Sequence, residues 1–339
     1  MRKKVSQKDI AQKVGVSTAL VSYVLNNLKE GRISKVVAQK IRETAKELNY
    51  RTNQIARSLK TNKTFTIGLI VADISNPFFS SLARIIEDEA DKKNYTVIFG
   101  SSDENAQKSW KLINALVDRQ VDGLIIAPAE NTEDNLTYLS DHDIPFVLID
   151  RYFPNLETNW VSIDNYNAAY TAVEHLIDAG NKRPGMITYN TTLHNLYERK
   201  RGYMDALTDN NITFDKAWCK EILTGNDKIS VENGLEGLLS LSKPVDSILF
   251  ASNILATNGL KYIHSLGIKV PDDLAIVSFD QMDASDLFYA PLTYLKQPIH
   301  EMGQMATKIL LKNIEEEKKI EHISMEAELV IRNSSVRRN

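Results

Sequence analysis

The side chains of this 339-residue sequence that could do chemistry are acids, amides and hydroxyls placed directly after short apolar runs. Asp73 and Asn76 follow residues 66–71, Ser101 to Asp103 follow 96–100, and Asp150 follows 146–149. Tyr189 with Asn190, Asn253, and Asp280 stand in the same relation to 185–188, 247–250 and 275–278. One acid in such a place is more often a helix cap or an ion-pair member. Several converging on one crevice favour a ligand site, because carboxylates and amides hold a polar small molecule through hydrogen bonds.

Patterns of catalysis are missing. The sequence has no Gly-x-x-x-x-Gly-Lys-Ser/Thr loop, no Gly-x-Gly-x-x-Gly and no Gly-x-Ser-x-Gly. His142, His175, His194, His264, His300 and His322 never fall within a few residues of one another, so a metal site would have to be assembled wholly by the fold. His175 reads as a packing residue on a helix, and the single Cys219 as a half-buried small residue that forms no internal disulfide. No catalytic residue, metal or cofactor is expected.

The elements that position the strand-end residues alternate. β-rich apolar runs at 66–71, 96–100, 123–127, 146–149, 185–188, 247–250 and 275–278 are separated by helical segments, which implies parallel sheets built from βαβ units. Their number suits two lobes. Ligands of open α/β sheets lie beyond the carboxyl ends of the strands, where these polar residues stand.

The first 63 residues are a different electrostatic object. They carry 15 Lys+Arg against 4 Asp+Glu, while the other 276 residues carry 26 basic against 40 acidic ones. A compact basic head attracts a polyanion by neutralising phosphates and releasing counterions, and the acidic remainder repels it. Nucleic acid is the partner expected of the head alone.

Within the head, Ile10, Ala11 and Val14 share one face of a short helix starting near Ser6, and Gly15 ends it. Ser17 caps a second helix that runs to about Asn26, with Leu20, Val21, Val24 and Leu25 inward and Thr18, Ala19, Ser22 and Tyr23 outward. Short outward side chains let such a helix sink into a major groove, so the pair reads as a helix-turn-helix. A third helix from about Ser34 through Ile41, Ala45 and Leu48 to Tyr50 closes the core. Beyond it, Ile55, Ala56 and Leu59 share one side of a short helix-compatible stretch with no core left to join. Two readings stay open: paired copies in a dimer push Leu59 between base steps of a minor groove, or the stretch is a linker docking on the body.

On residues 5–26 (VSQKDIAQKVGVSTALVSYVLN), 53–59 (NQIARSL) and 66–79 (TIGLIVADISNPFF) the sequence resembles the lactose/galactose repressor (LacI/GalR) family of bacterial transcription regulators. Residues 121–126 (VDGLII), 144–150 (IPFVLID), 198–203 (ERKRGY), 270–280 (VPDDLAIVSFD) and 291–298 (PLTYLKQP) extend the resemblance over almost the whole chain. It implies an N-terminal all-α helix-turn-helix domain (1–51), a hinge helix or linker (52–63), and a two-lobed, periplasmic-binding-protein-like α/β core of parallel sheets (64–339). One lobe is expected over about 64–162 and 292–322, the other over about 163–291 and 323–333.

The resemblance implies DNA contacts from Ser17, Thr18, Ala19, Ser22, Tyr23 and Asn26, and from Asn53, Ala56, Arg57 and Leu59 of the hinge, on a palindromic double-stranded operator bound by a homodimer. The ligand contacts it carries over are Asp150, Arg199, Asn253 and Asp280, with Phe78 and Asp164 beside them. These fit a sugar effector: a guanidinium donates two parallel hydrogen bonds, and an aromatic face covers the apolar side of a pyranose. Three carboxylates against one arginine disfavour a phosphorylated or carboxylate ligand. Arg199 has a plainer alternative, an ion pair with Glu198 or another acid. A non-sugar effector such as a purine is the alternative within the regulator class, and a sugar-processing α/β enzyme, which would turn its ligand over, the alternative outside it.

Three positions depart from the family's usual residues: Tyr23 for arginine, Thr52 for proline and Ile254 for aspartate. An arginine grips guanine O6 and N7 bidentately, which a phenol cannot do, so the operator position read by Tyr23 is expected to differ. The composition, 43% hydrophobic and 25% charged, is that of a soluble protein, and no apolar stretch approaches the ~20 residues of a membrane span. Polar sequence follows Met1-Arg2-Lys3-Lys4, so a bacterial cytoplasmic, nucleoid-associated protein without a membrane partner is expected. The tail after Val330 has no leucine heptads, so a dimer without a tetramerising extension is expected.

Overall fold

A computed structural model describes residues 5–25, 32–50, 63–225, 227–282, 284–315 and 319–336. The chain divides into two compact units, Met1–Thr64 and Phe65–Asn339.

In the first unit, α1 (Gln7–Val14) opens on a capping box in which Ser6 Oγ accepts from Asp9 N–H and Asp9 Oδ2 accepts from Ser6 N–H at 2.7 Å. Gly15 ends it at φ 80°, where an L side chain would be strained, and the N–H groups of Gly15 and Val16 both donate to Ala11 O. That turn sends the chain into α2 (Thr18–Leu25), and α3 (Lys35–Glu47) closes the bundle. Ile10, Ala11, Val21, Val24, Ile41 and Ala45 form the core, with Leu20, Leu25, Leu48 and Tyr50 packed partly buried around it.

The second unit holds two parallel sheets. Its chain runs β1 (Thr66–Val71), α4 (Pro77–Asp91), β2 (Thr96–Ser101), α5 (Ala106–Asp118), β3 (Gly123–Ile126), α6 (Glu133–Asp141), β4 (Phe146–Ile149) and β5 (Asn159–Ile163). It then crosses to the second lobe as α7 (Asn165–Asp178), β6 (Pro184–Tyr189), α8 (His194–Asp209), β7 (Cys219–Ile222), α9 (Asp227–Leu239), β8 (Ser247–Phe250), α10 (Asn253–Ser265), β9 (Ala275–Phe279), α11 (Ala284–Leu287) and β10 (Thr293–Lys296). Last come α12 (Ile299–Glu315), β11 (His322–Met325) and β12 (Glu328–Val330). The sheet orders are β11-β5-β4-β3-β1-β2 and β12-β10-β9-β8-β6-β7, with β12 alone antiparallel to its neighbour. The inner strands β1, β3, β4, β6, β8 and β9 are buried and rich in Val, Ile and Leu because helices cover both faces, as parallel sheets require.

Strand pairing moves two expected lobe boundaries. β10 pairs with β9, so the chain returns to the first lobe at Gln297 and Pro298 and not at 292. β11 pairs with β5, so residues 323–325 belong to the first lobe and not the second. Five strands, β5, β7, β10, β11 and β12, go beyond the apolar runs. β7 and β11 are edge strands whose residues are mostly only part-buried or exposed, held by ladder bonds to one neighbour instead of by a continuous apolar run.

His175 packs on α7 with Nε2 2.7 Å from Ser335 Oγ, and burial lowers its pKa. Cys219 is half-buried, its thiol pushed up to about 11 by burial. Among the described residues no helix is long and apolar enough to cross a membrane.

Candidate functional site

Loops leaving the carboxyl ends of strands in both lobes of the second unit line one cavity of ≈ 660 Å³. Phe78, Asp150, Arg199, Asn253 and Asp280 are all in its wall. Asp164 is not. β5 is followed at once by α7, and the exposed Asp164 is spent on the helix N-cap, its Oδ1 accepting from Asn167 N–H at 2.9 Å. The next residue, Asn165, is the buried one, and its Oδ1 accepts from Arg199 Nε at 2.7 Å.

Arg199 is placed by helix periodicity. On α8 the buried residues Asn195, Leu196, Arg199, Gly202, Tyr203 and Ala206 recur at helical spacing, so one stripe faces inward. Gly202 lets that stripe approach α7: a Cβ there would stand 2.2 Å from Tyr166 O. The guanidinium of Arg199, 3% exposed, also donates through Nη1 to Ala251 O at 2.7 Å and lies 3.7 Å over the Phe279 ring. Glu198 pairs instead with Arg201, so Arg199 is no surface ion-pair member.

Asp150 and Asp280 flank Arg199 electrostatically. Burial pushes the Asp150 carboxyl up to about 6, with Arg151 and Arg199 opposing the shift and Asp280 adding to it. Burial also raises Asp280, opposed by Arg199 and by the hydrogen bond its Oδ1 accepts from Gln297 Nε2 at 2.6 Å. Such shifts mark a site from which water is largely excluded and where hydrogen bonds to a guest are strengthened.

Side-chain hydrogen bonds join the lobes across the cleft. Asn76 and Asn253 exchange amide hydrogen bonds, Asn253 Nδ2 to Asn76 Oδ1 at 2.7 Å and Asn76 Nδ2 to Asn253 Oδ1 at 3.3 Å. Thr192 Oγ1 of the second lobe donates to Glu130 Oε1 of the first at 2.7 Å.

The sequence reading missed Glu104, Glu130, Arg151, Asn195, Asp227 and Gln297, all in the cavity wall. Arg151 donates to both Glu104 carboxylate oxygens at 2.7 Å and brings Nε within 3.4 Å of Asp150 Oδ2. Asn195 carries the one signal that could have found it, because it lies one helical turn before Arg199.

In the first unit, Ser17 Oγ accepts from Leu20 N–H at 3.2 Å and caps α2. Ser17, Thr18 and Ala19 are exposed, whereas Ser22 and Tyr23 are half-buried. The first turn of the helix is therefore its solvent-open part. Asn26, Asn53, Ala56, Arg57 and Leu59 lie outside the described residues.

Comparison with known proteins adds a second line of observation. The family profile described as "Bacterial regulatory proteins, lacI family" matches residues 6–53, and that of a "Periplasmic binding protein-like domain" matches 173–335. The chain is 33% identical to the "Ribose operon repressor" of Halalkalibacterium halodurans, over 91% of this chain and 90% of that protein. It is 30% identical to the "HTH-type transcriptional repressor PurR" of Aliivibrio fischeri, over 98% of each. The solved lac repressor dimer bound to operator and an anti-inducer superposes with a TM-score of 0.86 at 21% identity, over 99% of this chain and 100% of that one, a likeness of fold.

Proposed function

The chain belongs to the lacI family of bacterial regulatory proteins, and from that premise we propose a repressor whose hold on a palindromic operator is set by a sugar bound between its two lobes. It is a DNA-binding transcriptional repressor and not an enzyme. The observation that carries the sugar is the cleft itself. Asp150, Asn253, Asp280 and the buried Arg199 come from both lobes onto one cavity, and acids, amides and a guanidinium are the groups that exchange hydrogen bonds with vicinal hydroxyls. A relative named as a ribose operon repressor supports the same class.

Sugar in the cleft stabilises one arrangement of the lobes, and that choice is passed to the DNA-binding unit. A coupling of ~1–3 kcal/mol changes operator affinity ~5- to 150-fold. DNA is read by Ser17, Thr18, Ala19, Ser22, Tyr23 and Asn26, with Asn53, Ala56, Arg57 and Leu59 completing the contact. A dimer fits a palindrome, and exposed Phe99, Leu223 and Tyr289 supply apolar surface of the kind a second copy covers.

The decisive experiment compares the full chain with a chain starting at Phe65 on a palindromic operator at several salt concentrations, with a screen of mono- and disaccharides added. Salt-sensitive binding by the full chain, released or tightened by one sugar and absent from the shorter chain, is the expected result. Operator binding that survives in the shorter chain overturns the assignment of the reading head.

A further inference from the structure

The cleft is strongly unbalanced in charge. Asp73, Asp103, Glu104, Glu130, Asp150, Asp227 and Asp280 line it, against Arg151 and Arg199. Arg151 is held by Glu104 and also reaches Asp150, Lys108 pairs with Asp103, and Arg199 acts on both Asp150 and Asp280. Asp73, Glu130 and Asp227 form no ion pair with a cation among the described residues.

Asp73 belongs to the first lobe and Asp227 to the second. The charges of Glu104 and Asp73 reach across the cleft to Asp227, whose carboxyl is raised chiefly by burial and further by both of them. Bringing the lobes together over an uncharged guest compresses these like charges, which costs free energy. Asp73 turns its carboxylate onto Ser75, and Asp227 accepts from Tyr189 OH at 3.2 Å, but neither partner is a cation.

A separate observation points to a guest in the same space. Asn195 is 4% exposed, lines the cavity and makes no side-chain hydrogen bond among the described residues. The carboxylate of Asp150, also buried, has Arg151 Nε at 3.4 Å as its only charged contact and accepts no hydrogen bond from the described residues. Buried polar groups left in this state call for a bound partner with donors. Among the described residues no three His, Cys, Asp or Glu side chains come together as metal ligands do, which turns the choice toward an organic cation.

We propose that the effector is a polyhydroxylated amine, such as an amino sugar, whose hydroxyls meet Asp150, Asn195, Asp280 and Arg199 and whose ammonium sits between Asp73 of one lobe and Asp227 of the other. The proposal rests on the cleft being the effector site and adds the charge of the ligand to that reading. An ammonium between the two carboxylates converts their repulsion into two attractions that exist only when the lobes are closed, so the same contact that selects the ligand drives the arrangement of the lobes.

The test is calorimetry and thermal shift on the full-length protein with matched sets: D-glucosamine, D-glucose, N-acetyl-D-glucosamine and the phosphate ester of glucose, then the same four chemistries on galactose and mannose. One amine is expected to bind ~10-fold or more tightly than its neutral parent, to lose that margin on N-acetylation, and to lose it again in Asp227→Asn. Asp73→Asn serves as the second variant, and the melting temperature of each unliganded variant shows that it is folded. A neutral or phosphorylated sugar that binds as tightly as the amine overturns the proposal, as does an amine indifferent to both substitutions, or the absence of any amine binder across the sets. Those outcomes leave the repressor reading standing, whereas failure of the full-length protein to bind any operator brings that reading down instead.

Discussion

Asp150 and Asp280 hold the same place in the two lobes. Each follows the strand third from the edge of its sheet, each has φ 67°, and each donates its backbone N–H to the neighbouring strand, to Val161 O at 2.9 Å and Leu295 O at 3.0 Å. Aspartate tolerates this left-handed conformation better than most residues, and the kink it makes turns both carboxyls into the cleft. The partners differ. Asp280 accepts from Gln297, while Asp150 accepts no hydrogen bond from the described residues.

That difference gives a pH dependence. The Asp150 carboxyl is raised by burial to about 6 from an ordinary value of 3.8. Between those two values the folded protein holds a proton that the unfolded chain has lost, so stability falls as pH rises through the window and levels off above it. Asp280 is shifted in the same direction and adds to the slope. Asp150→Asn is expected to stabilise the unliganded protein near neutral pH by on the order of 2 kcal/mol and to flatten the slope. Thermal melts of both proteins across the window check it, and parallel curves would sink the assignment.

Arg199→Ala is expected to abolish the effector response and also to lower stability. It strands Asn165 Oδ1 and Ala251 O, and leaves two buried carboxyls without the cation between them. A loss of ~2–4 kcal/mol in urea unfolding is expected, because truncating one member of a buried charged network leaves the others unpaired. An unchanged urea midpoint would show that the guanidinium does not hold the cleft wall together.

Gly202→Ala tests the approach of α7 to α8. The added methyl meets the Tyr166 carbonyl, which is backbone and cannot rotate away. We expect a loss of ~1–3 kcal/mol and weaker effector binding, since the helix bearing Asn195 and Arg199 must shift. Wild-type melting temperature and affinity in this variant would contradict the packing.

Tyr23→Arg is expected to move operator preference toward G·C at one symmetric position, worth ~1–3 kcal/mol of discrimination. Selection from a randomised operator library reads this out. Identical motifs from both proteins would remove Tyr23 from the reading set.

The sequence by itself determined whatever is local. The start of α1 near Ser6, the Gly15 turn, the Ser17 cap and the inward stripe of α2 are set within a few residues by backbone hydrogen bonding and helix period, and they stand in the structure as spacing implied. The central strands were equally legible because burial on both faces demands continuous apolar runs. Asp150 and Asp280 could be picked out because a parallel strand aims the residue after its end at the crevice.

Tertiary structure decided what depends on partners far apart in the chain. Whether Asp164 or Asn165 faced inward turned on how soon α7 begins after β5, a difference of one residue that rotates a side chain by about 100°. The bidentate Arg151–Glu104 pair spans 47 positions and the Asn76–Asn253 exchange spans 177, so no local pattern could announce either. Edge strands such as β7 and β11 exist because a neighbour offers them a ladder. The acidity of the cleft has the same origin: its seven carboxyls come from six separate places in the chain, and only the meeting of two sheets at their carboxyl ends puts them within one another's field.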